Sequence, residues 1–460
     1  GGRVFTDRRT FPDGQHCELG GEFIDTPHET MRDLAEELGI PLFDYATDDP
    51  RLVDDVADIG GRKLGEAELL AGFAPIARAV DAAVATLSDQ TDPFVYYNKP
   101  NGGQALDALS ISAWLDRIGA AGPVRTLLEV AYTTEFGLDP GESNALNLVF
   151  LIGTDLEQFR LYGESDERFH ARRGNDAFTT RLAEALRPGQ IRLGHTLEAI
   201  RPGPGAPYVL TFVRDARRVD VPADHVVLAL PFTTLRRVDV GVALPPAKRR
   251  AIDELGYGTN TKLMGGLRSR VWRAQGFTGA TFSDRGYQSS WDSSRLQPGS
   301  SGIITNFTGG SVGVRAGEGT PVQQLARFLD QFDGVFPGVA AASTGRAVRM
   351  HWTSYPLTLG SYAAYKVGQY TTIAGAEIER VGNLHFCGEH TSLDFQGYME
   401  GGAATGAVAA CELADDLGLE AADRPRLIRS PLGARILRRA RITRAARRWH
   451  TALARSLQTT

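Results

Sequence analysis

Two stretches in the C-terminal part of the chain decide its fold: Asn383-Leu-His-Phe-Cys-Gly-Glu-His-Thr-Ser392 and Gln396-Gly-Tyr-Met-Glu-Gly-Gly402. The apolar run from Leu384 to Cys387 predicts a short buried strand, and Gly388 ends it. Backbone amides of the turn, together with the N-terminus of the next helix, can hold a phosphate group or the electron-rich edge of a ring. The two stretches therefore predict an anion-binding turn.

The helix that follows this turn carries very little side-chain bulk in its first turns. Each glycine costs a helix about 1 kcal/mol relative to alanine, so such a helix is a poor surface helix. Either the helix packs tightly on a sheet with no ligand, or a flat ligand comes close to its backbone. The residues alone leave both readings open. The small residues are Gly397, Gly401, Gly402, Ala403, Ala404, Gly406 and Ala407.

Both stretches resemble a known family. Gly388-Glu-His-Thr391 and Gly397-Tyr-Met-Glu-Gly401 are similar to the C-terminal flavin-binding segment of the flavin-dependent amine oxidases, which include monoamine, polyamine and L-amino acid oxidases. The resemblance implies FAD as the cofactor. It also implies that Gly388, Glu389, Gly397 and Met399 contact FAD.

The beginning of the chain resembles another segment of that family. Gly1-Gly-Arg-Val4 and Glu18-Leu-Gly-Gly-Glu-Phe-Ile24 are similar to the region that the family places just after its first βαβ unit. By this resemblance Arg3, Gly20, Gly21 and Glu22 are cofactor contacts. The βαβ unit itself would carry a GxGxxG phosphate loop, and the sequence contains none. We therefore expect the given sequence to begin inside a domain.

Lys262 lies in the alternating segment Asn260-Thr-Lys-Leu-Met-Gly-Gly-Leu267. From the pattern alone, a lysine in a strand points to solvent or extends its charged end to the surface. In the amine oxidase family, a lysine in this context lies beside the flavin ring and hydrogen-bonds through a water to its N5 atom. The resemblance thus implies a catalytic role for Lys262.

A third block is His351-Trp-Thr-Ser-Tyr-Pro356 followed by Leu359-Gly-Ser-Tyr362. It resembles the family segment that forms one wall of the substrate site, where Tyr362 and Tyr398 would face each other in front of the flavin. Two such rings favour a cationic amine by roughly 0.5–2 kcal/mol. From the residues alone, both could equally be core tyrosines that hydrogen-bond to backbone. Covalent members have a cysteine at the position of Ser361, so the resemblance implies noncovalent FAD.

The implied reaction follows from flavin chemistry. We expect a primary or secondary amine to be oxidised to an imine, which water hydrolyses to a carbonyl compound, while oxygen is reduced to hydrogen peroxide. One alternative is an L-amino acid oxidase or another flavin oxidoreductase on the same scaffold. An amino acid would need a pocket arginine for its carboxylate. A second alternative is a non-catalytic binding protein that has lost FAD.

The order of elements predicts an α/β protein. The resemblance implies an N-terminally truncated, Rossmann-like FAD-binding domain interleaved with a mixed-sheet (α+β) substrate domain and a helical insert, with Leu197 beside the adenine. Local patterns predict helices at 71–87, 112–118 and 177–186, and a strand at 191–200. The expected segments are 1–64 (start of the substrate domain), 65–173 (helical insert), 174–240 (middle of the FAD-binding domain), 241–374 (substrate domain), 375–418 (C-terminal part of the FAD-binding domain) and 419–460 (basic tail).

Composition places the chain among ordinary globular proteins, with 42% hydrophobic and 23% charged residues in 460. Apolar segments are short, so no transmembrane helix is predicted. Cys17, Cys387 and Cys411 are too few for a disulfide framework, and neither they nor the scattered histidines show metal-ligand spacing. We therefore expect no metal and a cytoplasmic location.

The tail is strongly basic. Residues 421–460 contain eleven arginines and one acid, Asp423, so the tail carries about +10 while the whole chain carries −5. The tail could be solvated, pack on the acidic body, or contact an anionic membrane surface weakly. No nucleic-acid-binding module is recognised. The expected partners are therefore a small amine and oxygen, with a homodimer as a further expectation.

Overall fold

The structure, a computed structural model, describes residues 2–89 and 91–419. The basic tail, apart from Leu419, lies outside the described residues. The strands are β1 (Thr6–Asp7), β2 (Cys17–Glu18), β3 (Leu42–Asp44), β4 (Val56–Ile59), β5 (Arg62–Lys63), β6 (Phe169–Ala171), β7 (Thr196–Pro202), β8 (Tyr208–Arg214), β9 (Arg217–Ala223), β10 (Val226–Leu228), β11 (Asp239–Val240), β12 (Thr261–Leu267), β13 (Thr281–Ser283), β14 (Ser289–Asp292), β15 (Gly302–Thr308), β16 (Ser343–His351) and β17 (Leu384–Phe386). The helices are α1 (Glu29–Glu37), α2 (Glu66–Ala85), α3 (Gln104–Asp107), α4 (Ile111–Arg117), α5 (Gly122–Phe136), α6 (Ala145–Leu151), α7 (Asp176–Glu184), α8 (Phe232–Leu235), α9 (Pro246–Glu254), α10 (Val271–Ala274), α11 (Gly310–Arg315), α12 (Pro321–Asp333) and α13 (Met399–Asp416).

A seven-stranded sheet forms the largest β unit, in the order β16-β12-β15-β14-β13-β4-β5. Its neighbours are antiparallel except β13 and β4, which run parallel, so the sheet is mixed. β12 lies between β16 and β15 and is buried along its whole length. A side chain on β12 therefore faces protein on either side of the sheet.

Helix α12 packs on this sheet. Thr320 and Gln323 form a capping box at its start, and its buried residues recur at helical spacing from Leu325 to Phe332. A Cβ at Gly265 of β12 would lie 2.1 Å from Leu325 Cδ1, so glycine there lets the helix approach the sheet. Trp272 completes this cluster, in which each buried large side chain contributes roughly 1.5–3 kcal/mol.

The region between β5 and β6 is helical, as the patterns predict, and α2 to α6 surround a core that includes Phe73, Trp114 and Tyr132. The sequence pattern predicts α4 from Ser112 and leaves an earlier start, near Ser110, equally open. Helix α4 begins at Ile111, because the Ser110 hydroxyl accepts a hydrogen bond from Ala113 N at 3.1 Å and caps the helix.

In the described part of the chain, four smaller sheets accompany the seven-stranded sheet, and two of them are the pairs β1–β2 and β3–β6. β11, β7, β8 and β9 form a four-stranded sheet, and β10 and β17 form a parallel pair. β8 and β9 pair as an antiparallel hairpin. The predicted strand at 191–200 begins only at Thr196, because its first part has no core to pack against: Leu193 is 84% exposed.

The parallel pair leads into α13, whose start is fixed by a contact with α1. Both carboxylate oxygens of Glu400 accept hydrogen bonds from the first amides of α1, Thr30 N at 2.9 Å and Met31 N at 2.8 Å. A carboxylate is favourable at a helix N-terminus. Among the described residues, no helix combines the length and the apolar character needed to cross a membrane.

Candidate active site

A cavity of about 490 Å³ lies where the seven-stranded sheet, the helical region and the C-terminal segment meet. The structure brings eleven of the twelve predicted site residues to its wall. Leu197 is the exception, since it lies on β7 and packs against the core cluster beneath the four-stranded sheet. The roles assigned to these residues stay predictions. The eleven are Arg3, Gly20, Gly21, Glu22, Lys262, Tyr362, Gly388, Glu389, Gly397, Tyr398 and Met399.

Lys262 points into the protein rather than to solvent. It stands in β12, where burial on both faces leaves no route to the surface, and only 5% of the residue is exposed. Its Nζ donates to Gly20 O at 2.8 Å and Glu18 O at 3.3 Å, and it lies 5.0 Å from the centre of the Trp291 ring. The surface-lysine reading of the sequence is therefore wrong.

Glu22 neutralises this lysine directly. Its Oε2 lies 2.8 Å from Lys262 Nζ, and its Oε1 accepts a hydrogen bond from Ser293 Oγ at 2.9 Å. Burial by itself would raise the pKa of Glu22, but the charges of Lys262 and His170 and these hydrogen bonds hold the pKa below its ordinary value. The ion pair was not predicted, because Glu22 was expected only to contact the cofactor.

Tyr362 and Tyr398 are connected through one residue, Glu135. The Tyr398 hydroxyl donates to Glu135 Oε1 at 2.6 Å, and the Tyr362 hydroxyl donates to Glu135 O at 2.6 Å and Thr134 O at 3.1 Å. Burial raises the pKa of both tyrosines well above the usual value, so both stay neutral. Both tyrosines therefore have features of the two alternatives left open by the sequence. Their hydroxyls donate hydrogen bonds to neighbouring groups, and their side chains line the cavity.

Glu135 is the main residue that the sequence interpretation missed. It lies near the end of α5, and burial raises its pKa to about 7, with Asp25 adding to the shift and the Tyr398 hydrogen bond opposing it. A signal was available in the sequence. Glu135 continues the buried helical stripe of Val124, Leu128 and Ala131, where an acid is unusual.

Glu389 ties three segments together beneath the cavity. Its Oε1 lies 2.5 Å from Arg3 Nη1, and its Oε2 accepts from Gly397 N at 2.8 Å. The amide of Ala363 adds two longer hydrogen bonds at 3.3 Å. Arg3 also donates to Ser361 O at 2.9 Å. This network holds the turn of Gly388, which has a φ of +123°, against the start of the chain.

The N-terminus of α13 forms another part of the wall. Met399, Gly402 and Ala403 line the cavity, and Tyr398 places no side-chain cap on the helix. The first amides and the helix dipole therefore favour negative charge at this wall. Gly20 stands opposite, where a Cβ would lie 1.8 Å from Arg3 O, so only glycine allows this approach.

The fold also gathers residues that no sequence spacing predicted. His16, Glu18 and His170 lie together and are all buried, with His170 Nε2 at 3.0 Å from Glu18 Oε1. Glu18 also accepts hydrogen bonds from Thr6 and Asn175. Sequence spacing could not show this cluster, because residues 16–18 and 170 meet only in the folded chain.

The sequence is similar to those of known flavin-containing oxidases. The family model described as "Flavin containing amine oxidoreductase" matches residues 1–414. A Dictyostelium discoideum protein described as "Probable flavin-containing monoamine oxidase A" is 21% identical over 436 residues, covering 87% of each chain. Rice "Polyamine oxidase 1" is 28% identical over 247 residues, covering 45% of this chain and 46% of that protein.

Solved structures confirm the α/β fold class. Cyclohexylamine oxidase from Brevibacterium oxydans IH-35A superposes with a TM-score of 0.76 at 23% identity, covering 91% of this chain and 92% of that chain. A putrescine oxidase bound to putrescine gives a TM-score of 0.74 at 18% identity, with 90% and 91% coverage. At these identities the likeness concerns the fold. Because the family match extends over residues 1–414 of 460, the chain belongs to the flavin containing amine oxidoreductase family.

Proposed function

We propose that this protein oxidises a primary or secondary amine at FAD to an imine, which water hydrolyses to a carbonyl compound, with reduction of oxygen to hydrogen peroxide. The observation that carries the proposal is the charge of the cavity wall. Six carboxylic acids line the cavity, whereas the basic side chains on its wall are Arg3 and Lys262. Arg3 is paired with Glu389 and Lys262 with Glu22.

Four acids are left without a cationic partner among the described residues: Asp25, Asp55, Glu135 and Glu167. Asp25 lies 3.4 Å from His28, but burial lowers the pKa of His28 to about 4, so this histidine is neutral near pH 7. Burial raises the pKa of all four acids, and that of Glu167 so far that Glu167 stays protonated near pH 7. Each of the other three, when ionised, is a negative charge without a matching cation and attracts a positively charged ligand. A protonated amine has the required charge.

The same wall argues against an amino acid substrate. The carboxylate of an amino acid would need a free arginine, which binds it through two parallel hydrogen bonds. On the cavity wall, Arg3 is already engaged by Glu389 and by Ser361 O. L-amino acid oxidation is nevertheless the second candidate function, because the chain is 28% identical over 200 residues to a Bacillus subtilis protein, YobN, that is described as an L-amino-acid oxidase.

The residues present fit a flavin ring. A Cβ at Gly402 would meet nothing closer than Glu389 N at 3.9 Å, so the start of α13 presents a bare surface to the cavity. Its amides suit the electron-rich edge of the ring. Ser361 Oγ donates to Asn260 Oδ1 at 2.6 Å, and a serine in place of cysteine supports noncovalent binding. When bound, FAD supplies the acceptor for hydrogen from the substrate carbon and passes its electrons to oxygen.

The side chains then have separate tasks. Tyr362 and Tyr398 orient the amine by their ring faces. We assign to Lys262, with a water molecule, a role in oxygen activation or imine hydrolysis. Leu197 is assigned to the adenosine half of FAD. The wall that binds the flavin ring is assigned to Arg3, Gly20, Gly21, Glu22, Gly388, Glu389, Gly397 and Met399.

The first experiment measures flavin absorbance of the purified protein, before and after incubation with FAD. A peroxide-coupled assay then compares benzylamine, cyclohexylamine and putrescine with a panel of L-amino acids. We expect bound flavin and turnover of amines. Turnover of amino acids alone would favour the second candidate. Absence of flavin after incubation would contradict both oxidase proposals and leave a binding protein.

A further inference from the structure

Glu135 lines the cavity and accepts hydrogen bonds from both Tyr362 and Tyr398. It lies in the last turn of α5, just before Gly137, whose left-handed conformation ends the helix. Its backbone oxygen accepts from the Tyr362 hydroxyl and its carboxylate from the Tyr398 hydroxyl, each at 2.6 Å. One residue therefore contacts both tyrosines assigned to the amine. The carboxylate lies at the hydroxyl end of the Tyr398 ring, on the wall of the same cavity.

The carboxylate has room for a cation. Within residues 2–89 and 91–419, no basic side chain forms an ion pair with Glu135, and Tyr398 is its one side-chain hydrogen-bond donor. Of the nearby acids, Asp25 raises the pKa of Glu135 by its charge. Burial raises the pKa of Glu167 well above its ordinary value, so Glu167 is protonated and neutral near pH 7. The remaining titratable neighbours are neutral tyrosines: Tyr132, Tyr162, Tyr362 and Tyr398. Among the described residues, Glu135 is therefore left without a basic partner.

An amine oxidase needs such a group. Free alkylamines have a pKa near that of lysine, about 10.4, so they arrive protonated at neutral pH. Removal of hydrogen from the substrate carbon requires the unprotonated amine, whose nitrogen lone pair stabilises the developing charge. The site must therefore both attract the cation and take its proton.

We propose that Glu135 is a catalytic residue that binds the substrate ammonium group and accepts one proton from it. In this step an N–H bond of the ammonium breaks, its electron pair stays on nitrogen, and an O–H bond forms on the Glu135 carboxylate. The products are a neutral amine and a neutral carboxylic acid, so charge and protons balance. The inference rests on the proposed function and adds to it the group that prepares the amine.

The protonation behaviour of Glu135 agrees with this placement. Burial, with the nearby charge of Asp25, raises its pKa to about 7 against an ordinary value of 4.5. A base is most effective when its pKa lies near the working pH. The Tyr398 hydroxyl opposes the shift by donating to the ionised carboxylate.

The test is the pH dependence of binding of tert-butylamine, an amine with no hydrogen on the carbon next to nitrogen and therefore no oxidation. For the wild type we expect affinity to rise about tenfold per pH unit up to about pH 7 and then to level off, because only the ionised carboxylate receives the cation. Glu135→Gln keeps a hydrogen-bond acceptor for Tyr398 but cannot take a proton. We expect at least about tenfold weaker binding at pH 8 and no inflection near pH 7.

Tyr398→Phe is the matched control for a merely structural role. It removes the hydrogen bond but keeps the carboxylate, so the inflection should persist at a higher pH. If Glu135 served only to orient Tyr398, Glu135→Gln would keep binding, because glutamine still accepts the Tyr398 hydrogen bond. Tyr398→Phe would instead lose binding, and neither variant would change the pH profile. If Glu135→Gln fails to fold, Glu135→Asp takes its place and should keep the inflection with weaker binding.

Three results would overturn the inference: an unchanged inflection in Glu135→Gln, loss of the inflection in Glu135→Asp, or no binding of tert-butylamine to the wild type. Peroxide formation from oxidisable amines is measured separately on the wild type. A wild type that binds tert-butylamine with the expected profile but oxidises no amine would contradict the proposed function and leave amine binding by Glu135 intact.

Discussion

Lys262 Nζ lies 2.8 Å from Glu22 Oε2, and both side chains are buried. The pair joins the start of β12 to the segment that follows β2, 240 residues earlier in the chain. In a buried pair, each charge is tolerated because the other is present. The stability of this region and the chemistry assigned to Lys262 are therefore linked, and experiments must separate them.

The first prediction concerns turnover. Lys262→Met should leave flavin bound, because other groups form most of the ring-binding wall, but should slow the return of electrons from reduced flavin to oxygen. Stopped-flow measurement of flavin reoxidation checks this directly. Unchanged reoxidation and peroxide production would remove the catalytic role assigned to Lys262.

The second prediction separates the ion pair from the chemistry. Lys262→Met alone should lower the free energy of unfolding by about 3–5 kcal/mol, because it leaves Glu22 buried and unpaired. Adding Glu22→Gln should restore much of that loss without restoring reoxidation. Urea unfolding of both single variants and the double variant measures the coupling. Purely additive losses would show that the two side chains do not stabilise each other.

A third prediction compares two glycines of the cavity wall. Gly20→Ala should destabilise the protein by about 3 kcal/mol or more, because its Cβ would lie 1.8 Å from Arg3 O. Gly402→Ala should keep or slightly raise stability, since alanine favours a helix by about 1 kcal/mol and the nearest atom lies 3.9 Å away.

The two glycine variants differ again in cofactor binding. If the flavin ring lies on the start of α13, the added methyl of Gly402→Ala should weaken FAD at least about tenfold, the equivalent of 1.4 kcal/mol. Quenching of FAD fluorescence during titration provides the measurement, and thermal unfolding without FAD provides the control. Unaltered FAD affinity in a stable Gly402→Ala variant would place the ring elsewhere.

The fourth prediction uses the sign of the Glu135 pKa shift. Because the pKa is raised from 4.5 to about 7, the folded state holds this proton more tightly than the unfolded state. The stabilisation from Glu135 is therefore fully present below about pH 4.5 and is lost as pH rises to about 7.

Glutamine does not titrate, so the stability of Glu135→Gln relative to the wild type should rise between about pH 4.5 and pH 7. The quantity compared is the free energy of unfolding of the variant minus that of the wild type. We expect this difference to be about 1–3 kcal/mol more favourable to the variant at pH 8 than at pH 4.5. Denaturant unfolding at the two pH values measures this. A difference that does not change with pH would show that Glu135 titrates normally in the folded protein.

Local patterns identified the elements that carry their own signal. The small residues of α13, the buried run of β17 and the helical region are visible because spacing and turn residues act over a few positions. Boundaries were less certain, since the cap at Ser110 and the exposed residues before Thr196 depend on packing. The position of Glu135 on an apolar helix face was visible in the sequence. Its contacts were not, because Tyr362 and Tyr398 lie more than 200 positions away in the chain.

The sequence by itself determined the family, the expected cofactor and eleven of the residues that line the cavity, because these are carried by contiguous motifs. Only the tertiary structure decided how their charges are compensated. It paired Lys262 with Glu22, engaged Arg3 with Glu389, and gave Glu135 no basic partner in the part of the chain that the structure describes. The physical reason is that burial and Coulomb interactions depend on distances between segments remote in the chain, which no local pattern specifies.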